Sequence, residues 1–255
     1  MNRHPPHTDR TTPPAVQHHH PKATMTRTPT PRTTGTPPHP TRHLPWLAAT
    51  AAAYSLTHHT GVATDPLGTI GPTRWADWID LLTPYAVLLT AAATLHRAHA
   101  RPRAWLLYLA GALTYAEGHG IHLAANSIAN TAPGPTAHLW DEAAGHYIWY
   151  AGTALVLTAL ATTLAHRPRP PSRPHQALGL TLALTTGLTW ATNALEGGTA
   201  LMSLAIALAF TYWGWTTRAH LGALLTAAFA PAATLIAAYG AWHQGFPQPS
   251  SLGWV

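Results

Sequence analysis

From Leu44 to the carboxyl terminus, long apolar runs alternate with short polar breaks, and this alternation constrains the fold more than any other feature. A helix of about 20 apolar residues crosses the hydrocarbon core of a bilayer. The runs have about that length, and most of the breaks contain proline or glycine, where helices tend to end. We therefore predict an all-α bundle of seven transmembrane spans, at residues 44–64, 77–97, 104–126, 138–165, 177–195, 198–217 and 220–242.

The composition agrees with lipid as the solvent of these runs. Charged residues make up 9% of the chain, whereas about 25% is usual in a soluble domain. The net charge of +6 does not predict nucleic acid as a partner, because the basic residues lie in short breaks between apolar runs. The chain has no cysteine, so any metal ion would be bound by imidazole and carboxylate groups.

The sequence divides into three regions. Residues 1–43 are rich in proline, threonine and histidine without apolar periodicity, which predicts a disordered cytoplasmic tail. Its run His18–His20 is interpreted as solvated, and Met25 is an alternative start. Residues 44–246 form the predicted transmembrane domain, and residues 247–255 form a short tail on the other side of the membrane.

The arginines predict the orientation of the chain in the plasma membrane. Alternate connections between the spans are basic, and the remaining connections contain only Arg74. Because basic residues are retained in the cytoplasm, the amino terminus is predicted inside and the carboxyl terminus outside. The basic residues that carry this prediction are Arg42, Arg97, Arg101, Arg103, Arg167, Arg169, Arg173 and Arg218.

Acidic and histidine residues gather at the opposite, extracytoplasmic ends of the spans. Ionisable groups inside a membrane are costly, so a cluster of them predicts a functional site. The clearest stretch is AEGHGIHLAANSIAN, residues 116–130, and spacings of three or four residues put several of these groups on shared helix faces. The predicted faces contain His119, His122 and Asn126 on span three, His138, Glu142, His146 and Tyr150 on span four, Asn193 and Glu196 on span five, and His243 on span seven.

Neutral imidazoles combined with a carboxylate are the usual ligands of zinc and of non-haem iron. The predicted metal ligands are His119, His122, His146 and His243. Asp141 and Glu142 are predicted as a further ligand or as groups that orient the histidines and act as a base. Glu117 and Glu196 are predicted to transfer protons, and Asn126, Tyr150 and Asn193 to support the site.

In span number and in the placement of His119 or His122, Asp141 and His243, the chain resembles a superfamily of membrane hydrolases. This superfamily of metal-dependent enzymes includes alkaline ceramidases and adiponectin-type receptors. The chain departs from it in having one histidine rather than a pair on its last span. The resemblance implies a seven-helix fold, a bound metal ion and hydrolysis of a lipid or other apolar substrate.

The sequence leaves three functions open. The first is a metal-dependent membrane enzyme acting on a lipid or other apolar small molecule. The second is a transporter of protons, metal ions or small solutes, suggested by Glu117 and Glu196. The third is a haem-binding or non-catalytic membrane subunit, in which His119 and His146 on different spans would ligate the haem iron.

Overall fold

A computed structural model describes residues 41–59, 63–167 and 172–254. The predicted disordered tail, with its histidine run and Met25, lies outside the described residues except for a turn at 41–43. The described chain is all-α apart from a hairpin of two short strands, β1 (Thr69–Ile70) and β2 (Thr73–Arg74). Its seven long helices are α1 (Leu44–Thr57), α2 (Trp75–Arg97), α3 (Pro102–Ala129), α4 (Pro135–Leu164), α5 (Arg173–Glu196), α6 (Ala200–Thr217) and α7 (His220–His243).

The all-α prediction is confirmed, and each predicted span corresponds to one helix of the described chain. Three of these helices, α2, α4 and α7, are long and apolar enough to cross a membrane. Helix α1 is shorter than predicted, with 14 residues instead of about 20. It ends at Thr57, where the His58 ring Nδ1 donates to the carbonyl of Tyr54 at 2.6 Å.

Helix α2 begins directly after the hairpin and is interrupted once. Its first segment, Trp75–Asp80, is separated from Thr83–Arg97 by a turn. The backbone N–H of Arg74 donates to the Asp77 carboxylate at 3.1 Å, and the guanidinium of Arg74 pairs with the same carboxylate at 2.7 Å. Asp77 therefore caps the amino terminus of α2, where a negative charge is favourable.

Helices α3 and α4 pack with their backbones in contact along a line of glycines. A Cβ atom added at Gly118 would lie 2.2 Å from the backbone nitrogen of Trp149, and one at Gly152 would lie 2.2 Å from that of Tyr115. Small residues allow this approach in membrane helix pairs. Because Gly111 and Gly145 make similar approaches, the two helices are fixed in register beside the candidate site.

The remaining helices pack around an aromatic core. Helix α7 contacts both α5 and α6, and α1 contacts α2 and α5. The Trp190 and Phe229 rings join α5 to α7 with centroids 5.6 Å apart, and both side chains are about fully buried. The indole N–H of Trp190 donates to the carbonyl of Ser203 at 3.2 Å, which ties α5 to α6.

The connections at the two ends of the bundle differ in charge. At one end, the guanidinium of Arg167 donates to the carbonyl of Ala98, so the connection after α4 lies against the connection after α2. At the other end, the amide of Gln248 donates to the carboxylate of Glu142 at 2.5 Å and to the carbonyl of Glu196 at 2.6 Å. The segment after α7 is thereby held against the ends of α4 and α5.

Candidate metal site

The site begins with a distortion of helix α4. Residues Leu139–Gly145 form a π-helix, whose hydrogen bonds join residues five apart. This geometry brings the side chains of Asp141 and His146 to the same side of the helix, and both are buried. Short π-helical segments occur frequently at functional sites in helical proteins.

Three side chains from α3 and α4 meet at this point. The His122 ring Nδ1 lies 2.5 Å from the Oδ1 atom of Asp141. The centroids of the His122 and His146 rings are 4.2 Å apart. One potential donor atom from each of His122, Asp141 and His146 lies within 4.8 Å of the others, so the three residues could bind a metal ion.

The His146 side chain is held in place from two directions. The ring is buried and lies against the backbone carbonyls of Asp141 and Glu142 in the same π-helix. The ring is confined by Gly197, because a Cβ atom there would lie 2.6 Å from the His146 Cδ2.

The seam between α3 and α4 positions His122 opposite the π-helix. A Cβ atom at Gly145 would lie 2.7 Å from the backbone nitrogen of His122. Only glycine therefore lets the two backbones approach closely enough to join His122 with Asp141. The Trp149 ring closes the inner side of the site, with its centroid 5.7 Å from that of His122 and 5.5 Å from that of His146.

His119 lies next to this cluster but has a different partner. Its Nε2 atom donates to the backbone carbonyl of Asp80 at 3.0 Å and lies 3.7 Å from the Asp80 carboxylate. The His119 and His122 ring centroids are 6.2 Å apart. His119 therefore joins α3 to α2, and the three-residue spacing alone does not make both histidines ligands of one ion.

Two of the predicted carboxylates lie under the segment that follows α7. Glu142 accepts a hydrogen bond from Gln248, and the Glu196 carboxylate accepts one from the backbone of Ser250 at 3.0 Å. Both glutamates are half-buried. The segment after α7 therefore holds the Glu142 side chain through Gln248. The spacing of residues along α4 does not predict this contact.

The structure does not bring His243 or Glu117 to the cluster. The His243 ring packs against Tyr239, with centroids 4.4 Å apart, and edge-on against Trp254. Glu117 is exposed on α3. The reason is helix geometry, because Glu117 lies one residue from the seam position Gly118 and is turned about 100° away from it.

The predicted supporting residues are also distributed over different places. Asn126 lines a cleft of about 60 Å³ together with Asp77 and Asp80. The Tyr150 hydroxyl donates to the carbonyl of Trp190 at 3.3 Å in the core. Asn193 is half-buried and its backbone carbonyl accepts from the N–H of Gly197 at the end of α5.

Sequence reasoning missed the residues that shape the site without being ligands. Gln248 lies in a tail that has no periodic pattern. Gly197 is predicted only as the end of a helix, and Trp149 only as an apolar core residue. The glycines were a usable signal, since Gly111 and Gly118 are seven residues apart, as are Gly145 and Gly152. Such matched spacing on consecutive helices predicts a close helix pair.

The space between His119 and His146 does not favour the haem alternative. Trp149 contacts both rings, with centroid distances of 5.0 Å to His119 and 5.5 Å to His146. A haem between these two histidines would have to occupy the position of the indole. The contacts of the site instead match a single ion bound by His122, Asp141 and His146.

Comparison with protein-family models, with curated proteins and with solved structures finds no match to this chain.

Proposed function

We propose that the protein is a seven-span, metal-dependent membrane enzyme that hydrolyses a lipid or other apolar substrate. The observation that carries the proposal is the convergence of His122, Asp141 and His146, whose potential donor atoms all lie within 4.8 Å of one another. Two imidazoles and one carboxylate match the donor sets of zinc and of non-haem iron, and leave coordination positions for water and substrate.

The outer surface of the helices supports a lipid environment beyond the three most apolar helices. Helices α3, α5 and α6 expose leucines to their surroundings, which in water would form large apolar patches. A lipid environment removes that cost, which supports α3, α5 and α6 as spans in addition to α2, α4 and α7. The exposed leucines on these helices include Leu106, Leu109, Leu113, Leu178, Leu180, Leu184, Leu188, Leu201 and Leu208.

The orientation follows from the charges at the two ends of the bundle. One end of the bundle carries Arg167, which donates to the carbonyl of Ala98. The other end carries Glu142 and Glu196, which are joined by their contacts with Gln248. By the positive-inside rule the arginine end is cytoplasmic. The metal site near Glu142 then faces the extracytoplasmic leaflet, where a lipid substrate can enter from the bilayer.

Each residue has a role in this proposal. A zinc or iron ion would supply a Lewis acid that lowers the pKa of water. His122, Asp141 and His146 would hold the ion, and Glu142 would act as the base toward water. Gln248 fixes the Glu142 carboxylate by its hydrogen bond. Trp149 and the α3–α4 seam exclude water from the inner side of the site. The choice of hydrolysis rests on the resemblance to the membrane hydrolases.

Elemental analysis of the purified protein tests the metal site. We expect about one zinc or iron ion per chain, because two imidazoles and one carboxylate converge at a single point. The substitutions His122→Ala, Asp141→Ala and His146→Ala should each remove the ion. His138→Ala and His243→Ala serve as matched controls and should retain it, since neither residue belongs to the cluster.

Activity tests the second half of the proposal. Metal-loaded protein in lipid nanodiscs should release products from a panel of lipid esters and amides, and the same protein stripped by a chelator should not. Retention of the metal by the His146→Ala variant would contradict the site. Equal hydrolysis by loaded and stripped protein would contradict the enzymatic role.

A further inference from the structure

Helix α2 carries a row of large apolar side chains that no other part of the described chain covers. From the first residue of α2, these side chains are spaced alternately three and four residues apart, which is the spacing of one helix face. Their exposed fractions lie between 42% and 70%. This row, the α2 stripe, consists of Trp75, Trp78, Leu82, Tyr85 and Leu89.

The length of α2 relates the α2 stripe to the thickness of a membrane. The helix has 23 residues and is apolar enough to cross a bilayer. Its length is about 34 Å, slightly more than the hydrocarbon core of about 30 Å. Trp75 and Arg97, the first and last residues of α2, therefore lie at the two boundaries of the core. Leu89 lies about 21 Å from Trp75, well inside the hydrocarbon.

The exposed tryptophans of the described helices agree with these boundaries. All of them lie within the first or last two turns of a helix. Tryptophan is enriched at the membrane interface, where its ring meets the acyl chains and its N–H group meets water. The exposed helical tryptophans are Trp46, Trp75, Trp78, Trp140, Trp215 and Trp242.

The β1–β2 hairpin is held against the tryptophan end of the α2 stripe. The indole N–H of Trp78 donates to the Thr73 hydroxyl at 2.8 Å, and that hydroxyl donates to the carbonyl of Ile70 at 2.9 Å. Ile70 is 43% exposed, and Leu67, just before β1, is 58% exposed. The hairpin therefore extends the apolar surface of the α2 stripe beyond the first turn of the helix.

The charged side chains beside this surface have partners within the chain. The Arg74 guanidinium pairs with the buried Asp77 carboxylate at 2.7 Å. The Asp80 carboxylate accepts a hydrogen bond from the Thr83 hydroxyl at 2.6 Å. Residues 66–82 contain no other charged side chain. The surface thus offers apolar and aromatic groups without an unpaired charge, which suits the boundary between headgroups and acyl chains.

The backbone of the hairpin limits how deep it can lie. Its two strands pair only with each other, through Thr69 with Arg74 and Ile70 with Thr73, so each strand has an open edge. Open sheet edges do not occur in contact with hydrocarbon, because their N–H and C=O groups would have no partner there. The hydrated headgroup layer provides such partners and also accepts the exposed apolar side chains.

We propose that the β1–β2 hairpin and the first turn of α2 are embedded in the lipid headgroup layer, with Leu67, Ile70 and Trp78 in contact with lipid. Lipid rather than a partner protein covers this surface, because the surface is continuous with the part of the α2 stripe that crosses the hydrocarbon. The inference rests on the membrane-spanning part of the proposed function and not on the metal ion.

This placement relates the headgroup layer to the candidate metal site. The carbonyl of Asp80, in the first segment of α2, accepts a hydrogen bond from His119 at 3.0 Å. The His119 ring centroid is 6.2 Å from that of His122. The hairpin therefore anchors the end of the bundle that carries the site, and it holds the site close to the level at which lipid headgroups join their acyl chains.

Depth-dependent fluorescence quenching of the full chain in phosphatidylcholine nanodiscs tests this placement. Single cysteines are introduced into a chain that has none and are labelled with the fluorophore NBD. A spin label on the lipid headgroup should quench Ile70→Cys at least about twofold more than one near the end of the acyl chain, because the hairpin lies at the interface. Leu67→Cys is a second reporter and should give the same result. Leu89→Cys should show the reverse order.

His99→Cys is the control for water, since His99 is exposed in the basic connection after α2, and aqueous iodide should quench it most. Equal quenching of Ile70→Cys and His99→Cys by iodide would place the hairpin in water and overturn the proposal. Quenching of Ile70→Cys by neither iodide nor the lipid labels would show that a protein partner covers the surface, which would also overturn it. A Leu89→Cys label that no lipid label quenches would contradict the membrane span itself, so the two failures are distinguishable.

Discussion

Gly197 shows how far a single backbone position controls the proposed site. Its hydrogen is the only group that fits beside the His146 ring, because a Cβ atom would lie 2.9 Å from Nε2 and 2.6 Å from Cδ2. The ring is itself enclosed by His122 and Trp149, with centroids at 4.2 Å and 5.5 Å. The imidazole therefore has little freedom to move away from an added methyl group.

We predict that Gly197→Ala weakens metal binding roughly ten- to a hundredfold, the usual effect of disturbing a group that orients a ligand. The displaced ring would no longer point its donor atom toward His122 and Asp141. Titration with zinc in the presence of a competing chelator measures the change. Gly179→Ala is the control on the same helix, because its Cβ atom would make only an ordinary 3.6 Å contact with Leu224. Equal affinities of the two variants would show that the His146 ring is not confined as described.

At the scale of the helix, the seam between α3 and α4 determines whether the ligands meet. Gly152 lies two helical turns beyond the site and contacts the backbone of Tyr115. Any side chain larger than hydrogen there would separate the two helices along their length. His122 would then move away from Asp141 and His146, although none of these residues had been changed.

Gly152→Leu is expected to lower the stability of the bundle by roughly 1–3 kcal/mol or more, the cost of overpacking a close contact. The thermal unfolding temperature in detergent should fall, and the metal content should fall with it. Gly120→Leu is the control on α3, because a Cβ atom at Gly120 would have no other atom within 4 Å, and it should leave the unfolding temperature nearly unchanged. A normal unfolding temperature for Gly152→Leu would contradict the close contact.

The same helix pair shows what the sequence could predict of the site. His122, Asp141 and His146 were all among the candidates, because ionisable groups stand out in apolar segments. Which of these side chains lie together is not predictable from spacing. In a regular α-helix, His146 shares a face with Glu142, four residues earlier, whereas in the π-helix it lies beside Asp141, five residues earlier. Side-chain spacing gives faces only for a regular helix, and the sequence does not mark where the helix widens.

At the scale of the whole molecule, seven helices follow from the apolar runs because length and hydropathy depend on each segment alone. Contacts between distant segments do not follow in this way. For example, Gln248 forms hydrogen bonds with Glu142, which lies 106 residues earlier in the chain, and with Glu196, which lies 52 residues earlier. The contact between His58 and Tyr115 is of the same kind, since the His58 Nε2 atom lies 3.2 Å from the Tyr115 hydroxyl although the two residues are 57 positions apart.

The orientation of the bundle can be tested with a pair of single cysteines. Ser251 lies in the segment that contacts Glu142, and His99 lies in the connection after α2 beside the arginines. Both residues are exposed. A cysteine at either position would be the only one, because the natural chain has none. A membrane-impermeant maleimide should label Ser251→Cys in intact cells and label His99→Cys only after lysis, because basic connections stay in the cytoplasm. The reverse pattern would invert the orientation and place the metal site at the cytoplasmic leaflet. Labelling of both positions in intact cells would contradict a membrane barrier between the two ends of the bundle.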